Sequence, residues 1–370
     1  PAIFTRLRAA LAMTLAVILT FCLLSAALRA AEVVDVSDAD GLMSALGVAK
    51  GGETIRLAPG NYGRLVLIAD KTPFDVTFPS PVTITSADRA RPAVIAGFDL
   101  RGTENLVFDG LRFEYVFQVG DKLNKRPFSA TDSRKLTIRN AIFRGDIASG
   151  LSVKDDGYAT GFGLYLVRTK DTLVEKSEIS RFFRGIVVGG GSDITIRSND
   201  IHELRMDGMN FGQVTRVLIE NNWMHDFKRS PNKGDHADMI QFWTNRTKSP
   251  STDIVIRGNV ILSGAGEQTQ SIFMRNDLVD RGLAGEEMFY RNVTIEQNVI
   301  VNGHTHGVTL GEATGVIIRN NTLLRNQSAA KGEARGKQAR VPKIKVAEKS
   351  QHVIIESNIA AGYFGKGQPG

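Results

Sequence analysis

Cysteine is almost missing from this chain: the only one among 370 residues, Cys22, lies in the apolar segment at its start. The rest of the chain contains no thiol. This excludes disulfide bonds and leaves the core to stabilise the protein, as suits a protein exported from a bacterium. Proline is scarce as well, with 11 residues against 37 glycines. This ratio is typical of a chain with many tight bends and few helices.

Two further absences narrow the class of protein. No stretch rich in serine and proline divides the chain, so we expect one domain although the length alone suggests two or three. Basic residues are not interleaved with aromatic ones, which argues against nucleic acid as a partner.

The formal net charge of +7 favours an acidic polymer as the partner. Part of the charge lies in an insertion at about 327–346, which predicts a flexible basic loop, either a clamp over a polyanion or a solvated loop without a role.

The first 30 residues differ from the rest. Arg6 and Arg8 precede an uncharged apolar stretch over residues 9–28, which small residues follow. This order predicts a secretory signal peptide over residues 1–30, and hence a secreted or periplasmic protein without stable membrane insertion after cleavage. The stretch is also long enough to span a bilayer, so an uncleaved anchor is the alternative.

One six-residue phrase, apolar-x-apolar-charged-x-Asn, recurs along the chain at intervals as short as 23 residues. It occurs as ITIRSN (194–199), VLIENN (217–222), IVIRGN (254–259), VTIEQN (293–298), VIIRNN (316–321) and VIIESN (353–358). In the third copy Ile254 and Ile256 point one way and Val255 the other, a period of two that predicts a strand. A unit this short cannot bury its own apolar face, so the units must stack.

A second short strand recurs between these phrases. It occurs at 163–167, 185–189, 208–212, 238–243, 271–275 and 307–311. Two strands in each repeat predict a β-solenoid; independent Asn turns in a β-sandwich are the alternative. Asn tolerates the left-handed backbone that a tight bend needs, and its side chain can bond the next coil. We therefore expect the Asn residues to form a ladder along one corner of the stack.

These features resemble the right-handed parallel β-helix of the pectate-lyase-like superfamily. Residues 35–63, DVSDADGLMSALGVAKGGETIRLAPGNYG, resemble the start of its chondroitinase-B and alginate-lyase branch. The resemblance implies an all-β, single-domain, right-handed parallel β-helix over residues 31–370 with a short N-terminal capping helix. It says little about chemistry, because the superfamily contains lyases, hydrolases, epimerases and non-catalytic proteins.

Candidate site residues emerge when the second strands are aligned on their inward apolar residue. One column then contains Phe162, Arg184, Asp207, Asp238, Gln270 and His306. A neighbouring outward column contains Tyr165, Val187, Asn210, Gln241, Phe273 and Thr309. Because adjacent coils are about 4.8 Å apart, the polar members predict a groove that matches a linear polysaccharide. The predicted substrate-binding residues are Asp207, Asn210, Gln241, Arg205, Lys233, Trp243 and Tyr165.

The densest polar segment, KRSPNKGDHADMIQFW (228–243), carries His236 at the mouth of a strand. We predict that His236 takes the C5 proton of a uronate, because histidine titrates near neutral pH. Arg275, with Arg205 as a second cation, is predicted to neutralise the uronate carboxylate. His306 is the candidate acid or second base.

Two carboxylates accompany these groups. Asp238 and Asp207 are predicted to orient His236, to hold Arg275 or to bind Ca²⁺ through their oxygens. The alternative is a simple turn between Asp235 and Asp238, with His236 as a bystander.

The Asp-His-Ala-Asp segment at 235–238 is similar to the Asp-Pro-His-Asp motif of periplasmic mannuronan epimerases, in which the His is the base and an Arg neutralises the carboxylate. Residues and resemblance favour an exported enzyme on an acidic polysaccharide, either a lyase or a C5-epimerase. One alternative is a glycoside hydrolase that uses Asp207, Asp235 and Asp238 as acid and base. A non-catalytic glycan-binding β-helix is another. His304 and His306 would offer only a weak zinc site.

Overall fold

Three parallel sheets wind around a common core in the computed structural model, which describes residues 32–230, 233–264, 269–327 and 340–364. Most coils contribute one strand to each sheet, so the predicted all-β parallel β-helix is confirmed. The predicted signal peptide lies outside the described residues, as does the part of the basic insertion at 328–339. No helix within the described ranges is long and apolar enough to cross a membrane.

Sheet A has 12 strands and contains the repeated Asn phrases. Its strands are Val33–Val36, Thr54–Leu57, Thr77–Ser86, Glu104–Asp109, Arg134–Arg139, Lys170–Glu175, Ser192–Arg197, Thr215–Glu220, Thr252–Arg257, Tyr290–Glu296, Ala313–Arg319 and Gln351–Glu356. Along each strand alternate side chains enter the core, as the period of two predicts. Ile254 and Ile256 are fully buried, whereas Val255 between them is half-buried on the outer face.

Sheet C has 11 strands and contains the second predicted strand of each repeat. Its strands are Arg64–Ile68, Gly97–Arg101, Phe128–Thr131, Phe162–Val167, Arg184–Gly189, Met209–Gly212, Asp238–Trp243, Gln270–Met274, His306–Leu310, Lys343–Val346 and Tyr363–Phe364. The strand at Lys343–Val346 pairs with His306–Leu310. The predicted boundary of the basic insertion at 346 is therefore wrong, because the coil resumes at Lys343.

Sheet B has nine strands and was not expected as a separate sheet. Its strands are Val94–Ile95, Arg112–Glu114, Ile142–Arg144, Glu178–Ser180, Asp200–His202, Trp223–His225, Val260–Leu262, Val299–Asn302 and Thr322–Arg325. Most have only three residues, with a single inward side chain such as Phe143 or Ile201. One inward residue is too short a pattern for period-two analysis.

The predicted capping helix covers the first coil. It spans Ala39–Val48 and begins at Asp38, whose side chain accepts a hydrogen bond from the Gly41 N–H at 2.8 Å. Leu42 and Leu46 are buried against the first strands of sheet A. Two shorter helical turns, Asp277–Asp280 and Glu286–Met288, follow the strand Gln270–Met274. They build one wall beside sheet C.

The predicted Asn ladder runs along the corner between sheets A and B. The side-chain amide of Asn222 donates to Asn259 at 3.0 Å, and that of Asn259 donates to Asn298 at 2.9 Å. The expectation that these Asn adopt the left-handed conformation is wrong: the residue before each one does so, for example Gly258 with a φ of 63°. Asn is required for its amide, which satisfies backbone groups in two neighbouring coils.

Candidate functional site

A kink at the start of the sheet C strands turns polar side chains outwards. The register pairs Phe162 with Arg184 and then skips one residue on each strand. The skipped residue is Gly163 in one strand and Gly185 in the next; a Cβ on Gly185 would lie 2.4 Å from the Gly208 carbonyl oxygen. Because the glycines fill the inward position, the residues before them face the outer surface of sheet C.

The kink brings the two predicted columns onto one surface. Asp207 accepts a hydrogen bond from the Asn210 side chain at 2.9 Å, and Asp238 accepts one from Gln241. Asn210 in turn donates to Gln241 at 2.6 Å. Residues three positions apart in each strand therefore form one polar network on the outer face.

A cleft of about 580 Å³ opens above this network. The predicted residues that line it are Asp207, His236, Gln241, Trp243, Arg275 and His306. Arg184, Gln270 and Phe273, which belong to the two predicted columns but had no catalytic or binding role assigned, also line it, as does His304. The other lining residues were not predicted from the sequence: Met206, Phe242, Asp277 and Arg340. The cleft thus brings the Asp-His-Ala-Asp segment and Arg275 to the same side of the coil.

Asp207 and Asp238 form a buried acid pair in the floor of the cleft. The Arg184 Nε is 3.0 Å from Asp207 Oδ2, and the Asp238 N–H donates to Asp207 Oδ1 at 3.1 Å. Burial and the charge of Asp207 raise the pKa of Asp238 to about 9. Burial also raises the pKa of Asp207, while Arg184 opposes that shift. The pair therefore holds one proton, which we assign to Asp238 because Arg184 favours the ionised form of Asp207.

Asp238 was predicted as a catalytic residue, but it lies one layer below the cleft surface. Its side chain is fully buried, and its Oδ1 has no hydrogen-bond partner among the described residues. Asn210 is also fully buried and links Asp207 to Gln241. Both residues support the groups above them and have no surface to offer a substrate.

Three histidines reach the cleft. His236 is exposed, and its Nδ1 is 2.7 Å from the Gln270 Nε2. The His304 and His306 rings stack with centroids 5.1 Å apart, and the His306 Nδ1 is 2.7 Å from the Thr309 hydroxyl. Burial lowers the pKa of His304 to about 4 and lowers that of His306 below its usual value. These two rings are therefore neutral at pH 7 and available as bases.

Two arginines supply positive charge to the cleft. Arg275 is half-exposed, with its Nε 2.7 Å from Asp280 Oδ2, and this contact raises the pKa of Arg275. Arg184 is held beside Asp207 and between the rings of Phe162 and Phe183, each 5.7 Å from its guanidinium carbon. Arg184 belongs to the polar column predicted from the sequence, where it had no role assigned. Its position one coil before Asp207 was the available signal.

Arg205 was predicted to contact substrate, and its burial contradicts that prediction. Its side chain is 0% exposed and forms ion pairs with Asp155 at 2.8 Å and Asp235 at 2.7 Å. The Lys233 Nζ pairs with Asp155 at 2.9 Å and does not line the cleft. These contacts hold the loop that carries His236, so Asp235 and Arg205 position the loop and do not react.

The predicted calcium site at Asp207 and Asp238 does not fit the residues present. Ca²⁺ takes six to eight oxygen ligands, whereas Asp207 already accepts three hydrogen bonds or ion-pair contacts and Asp238 holds a proton. Within the described part of the chain, no three His, Cys, Asp or Glu side chains gather as a metal site. For the same reason, His304 and His306 have no third His, Cys, Asp or Glu beside them, among the described residues, to complete a zinc site.

A second groove of about 790 Å³ continues from the cleft along sheet C. The two share Arg184 and Trp243 as lining residues. Tyr165, predicted to bind substrate, lies in this groove with Phe162. Its charged lining residues are Arg126, Arg168, Arg184, Arg246 and Lys248, without any Asp or Glu among the described residues that line it.

Comparison with known proteins identifies the architecture. The family model described as a right-handed β-helix region matches residues 126–276, which include the floor of the cleft. No curated protein sequence matches the chain significantly. Among solved structures, the Dettilon tailspike protein gp208 has 14% identity and a TM-score of 0.55 over 88% of this chain. The match covers 64% of the tailspike chain, less than two thirds of its length.

Two further structures are similar over most of their length. The surface protein and adhesin PfbA of Streptococcus pneumoniae has 11% identity and a TM-score of 0.53, covering 90% of this chain and 94% of its own. DFA-IIIase from Arthrobacter chlorophenolicus A6 has 10% identity and a TM-score of 0.51, covering 91% and 87%. At these identities the likeness extends to the fold alone, a right-handed parallel β-helix.

Proposed function

We propose that this protein is an exported enzyme that abstracts the C5 proton of a uronate in an acidic polysaccharide, as a lyase or a C5-epimerase. The observation that carries the proposal is a cleft in which neutral histidines stand beside two arginines and which opens into a groove lined by further cations. A base for the C5 proton and a cation for the adjacent carboxylate are the groups that this chemistry needs. Export is proposed from the signal peptide that the sequence predicts at residues 1–30.

The arginines make the C5 proton more acidic. Arg184 and Arg275 would donate hydrogen bonds to the substrate carboxylate. These bonds strengthen as negative charge moves onto the carboxylate in the transition state, so they lower the barrier. Asp207 holds Arg184 in place, and the proton on Asp238 limits the acid pair to a single negative charge.

The hydrogen bonds of His306 and His236 indicate a different role for each ring. When the His306 Nδ1–H donates to the Thr309 hydroxyl, its Nε2 keeps a lone pair and can take the C5 proton. The His236 Nδ1 accepts from the Gln270 amide, which leaves the proton of His236 on Nε2. We therefore assign His306 as the base and His236 as the proton donor, the reverse of the assignment from sequence.

The electrons left at C5 have two fates. In a lyase they form the C4–C5 double bond, the C4–O bond breaks, and the departing oxygen takes a proton from His236. In an epimerase the Nε2 proton of His236 is transferred to the opposite face of C5, and no bond of the polysaccharide backbone breaks.

A hydrolase is the second candidate, since the acid pair Asp207–Asp238 combines one protonated and one ionised carboxyl group, as glycoside hydrolysis requires. Against this candidate, both side chains are fully buried. An acid that protonates a glycosidic oxygen must reach it within hydrogen-bond distance.

Three readouts on alginate, polygalacturonate and hyaluronan separate these functions. Ultraviolet absorbance of an unsaturated uronate identifies elimination, and deuterium uptake at C5 without depolymerisation identifies epimerisation. New reducing ends without absorbance would instead identify hydrolysis. Binding without any of the three changes would make this a glycan-binding protein and contradict the enzymatic proposal.

Variants of the three cleft residues test the mechanism on the substrate so identified. We expect His306→Ala, His236→Ala and Arg275→Ala each to lower kcat/KM by a factor of about 10² to 10⁴. The melting temperature should change little for the exposed His236 and Arg275. His352→Ala, on the exposed face of sheet A, is the matched control. Full activity of His306→Ala would contradict its role as the base.

A further inference from the structure

The groove beside the cleft carries more positive charge than the chemistry of one sugar requires. Arg184 belongs to the cleft, and Arg168 forms an ion pair with Asp132 at 2.6 Å. Among the residues that the structure describes, Arg126, Arg246 and Lys248 form no ion pair with an acidic side chain. Like charges gathered in one groove repel each other, so a bound anion would stabilise them.

Local contacts hold these cations in the groove. The Arg126 guanidinium lies over the Tyr165 ring, 3.9 Å from its centroid. The loop that carries Arg246 and Lys248 is anchored at both ends. The Lys248 N–H donates to the Gln213 side chain at 2.9 Å, and the Thr247 hydroxyl donates to the Thr244 carbonyl at 2.7 Å.

The groove also contains an aromatic ring and extends well away from the cleft. Trp243 lines the same groove and is partly exposed, so its ring offers a surface on which a sugar can stack. In the outer column, Tyr165 is three coils away from Gln241 in the cleft. Three coil spacings amount to roughly 14 Å, too far for one sugar unit to fill both compartments.

We propose that this groove is an anion-binding subsite that holds a second acidic group of the glycan bound in the cleft. The proposal rests on the proposed function for the identity of the cleft. It specifies the substrate class further: a polymer or long oligosaccharide whose acidic groups recur along the chain, engaged away from the reacting sugar. A short acidic oligosaccharide fills the cleft alone and gains nothing from the groove.

Binding is tested apart from turnover by isothermal titration of the His236→Ala protein. The probes are hexasaccharides and disaccharides prepared from alginate, polygalacturonate and hyaluronan. Into this background we introduce Arg126→Ala and Arg246→Ala. The matched control is Arg216→Ala, which removes an exposed arginine paired with Asp193 on sheet A.

For the hexasaccharide that binds best, each groove substitution should raise Kd about tenfold, the size expected for one charge-assisted contact. The Arg216→Ala control should change it less than about twofold. Affinity for the disaccharide should be unaffected, and added salt should reduce the difference between groove variants and control.

Unchanged hexasaccharide affinity in both groove variants would overturn the subsite, and so would the absence of binding by all three hexasaccharides. Turnover by the wild-type protein is scored separately. Weakened binding in the groove variants without turnover by the wild type would support the subsite and refute the enzymatic function. Turnover by the wild type together with unaltered affinity in the groove variants would support the enzymatic function and refute the subsite.

Discussion

Burial decides what each acidic and basic residue of this site can do. Arg184 begins a strand of sheet C, and Arg205 lies in the loop before the next strand of that sheet. Arg184 reaches the cleft, whereas Arg205 is fully buried and paired with Asp155 and Asp235. Asp207 and Asp238 are both fully buried, and of the two only Asp207 is among the residues that line the cleft. The sequence pattern indicated that all four residues lie near the site, but it did not predict which of them are exposed.

The shared proton of the acid pair predicts an unusual dependence of stability on pH. Asp238 has a pKa of about 9 in the folded protein against an ordinary value of 3.8, so the folded state binds its proton more tightly than the unfolded chain does. The free energy of unfolding should therefore fall as pH rises between about 4 and 9, by at most about 1.4 kcal/mol per pH unit from this group. Asp238→Asn should flatten that dependence.

Urea unfolding at several pH values within that window measures the effect. Asp193→Asn provides the control, because Arg216 lowers the pKa of Asp193 and its titration lies below the window. An equal pH slope in Asp238→Asn and the wild type would show that Asp238 is ionised in the folded protein.

At the scale of elements, the loop that precedes the strand Asp238–Trp243 depends on one buried arginine. Arg205 joins Asp235 in this loop to Asp155 in the loop before the strand Phe162–Val167. Its guanidinium also lies near the rings of Tyr158 and Phe183, at 5.6 and 5.4 Å. The loop that presents His236 is thus fixed from below.

Arg205→Met should remove the buried cation that Asp155 and Asp235 share and lower the free energy of unfolding by about 3–5 kcal/mol. Activity should fall as well, because His236 loses its support. Lys233→Met removes a partly exposed partner of the same Asp155 and should cost no more than about 1 kcal/mol. Denaturant unfolding compares the two, and equal losses would contradict the central role of Arg205.

The Asn ladder is the second element with a testable energetic role. Asn259 is fully buried; its amide donates to Asn298 and to the Ile219 carbonyl, and its oxygen accepts from Asn222. Asn259→Ala should lower the free energy of unfolding by about 2–4 kcal/mol, because backbone and amide groups in two coils lose their partners. Asn358→Ala, at the half-exposed end of the ladder, should cost about half as much. Similar values for both would indicate that the ladder does not act through buried hydrogen bonds.

At the scale of the whole molecule, alternating charges align the coils of sheet A. One position of successive strands pairs in register through nine coils, and its residues are Asp109, Arg139, Glu175, Arg197, Glu220, Arg257, Glu296, Arg319 and Glu356. Arg257 and Glu220 are 2.8 Å apart, as are Arg319 and Glu296. A shift by one coil would place like charges opposite each other, so this row opposes misregistration.

Glu220→Arg should place three arginines in succession and destabilise the protein by about 1 kcal/mol at low salt. Glu220→Gln, which removes the attraction without adding repulsion, should have roughly half that effect. High salt should reduce both losses, because the row is partly exposed. Thermal unfolding at low and high ionic strength measures this, and a loss that salt does not change would exclude an electrostatic cause.

The local pattern of apolar and polar residues in the sequence predicts most of the fold. The strands, the stacking and the Asn ladder follow from apolar alternation and from one amide repeated in each coil, and both are properties of neighbouring residues. The strands of sheet B were not predicted, because a strand such as Ile142–Arg144 buries only one side chain.

The candidate site depended on contacts between distant coils. Asp207, His236, Arg275 and His306 meet because the coil superimposes them, and alignment of the repeats anticipated that meeting. The outward kink at Gly185, the enclosure of Arg205 and the cationic groove were not foreseeable in the same way. Each depends on how backbone and side chains from separate coils fill space, and burial of a charge is a property of that packing and not of the residues beside it in the chain.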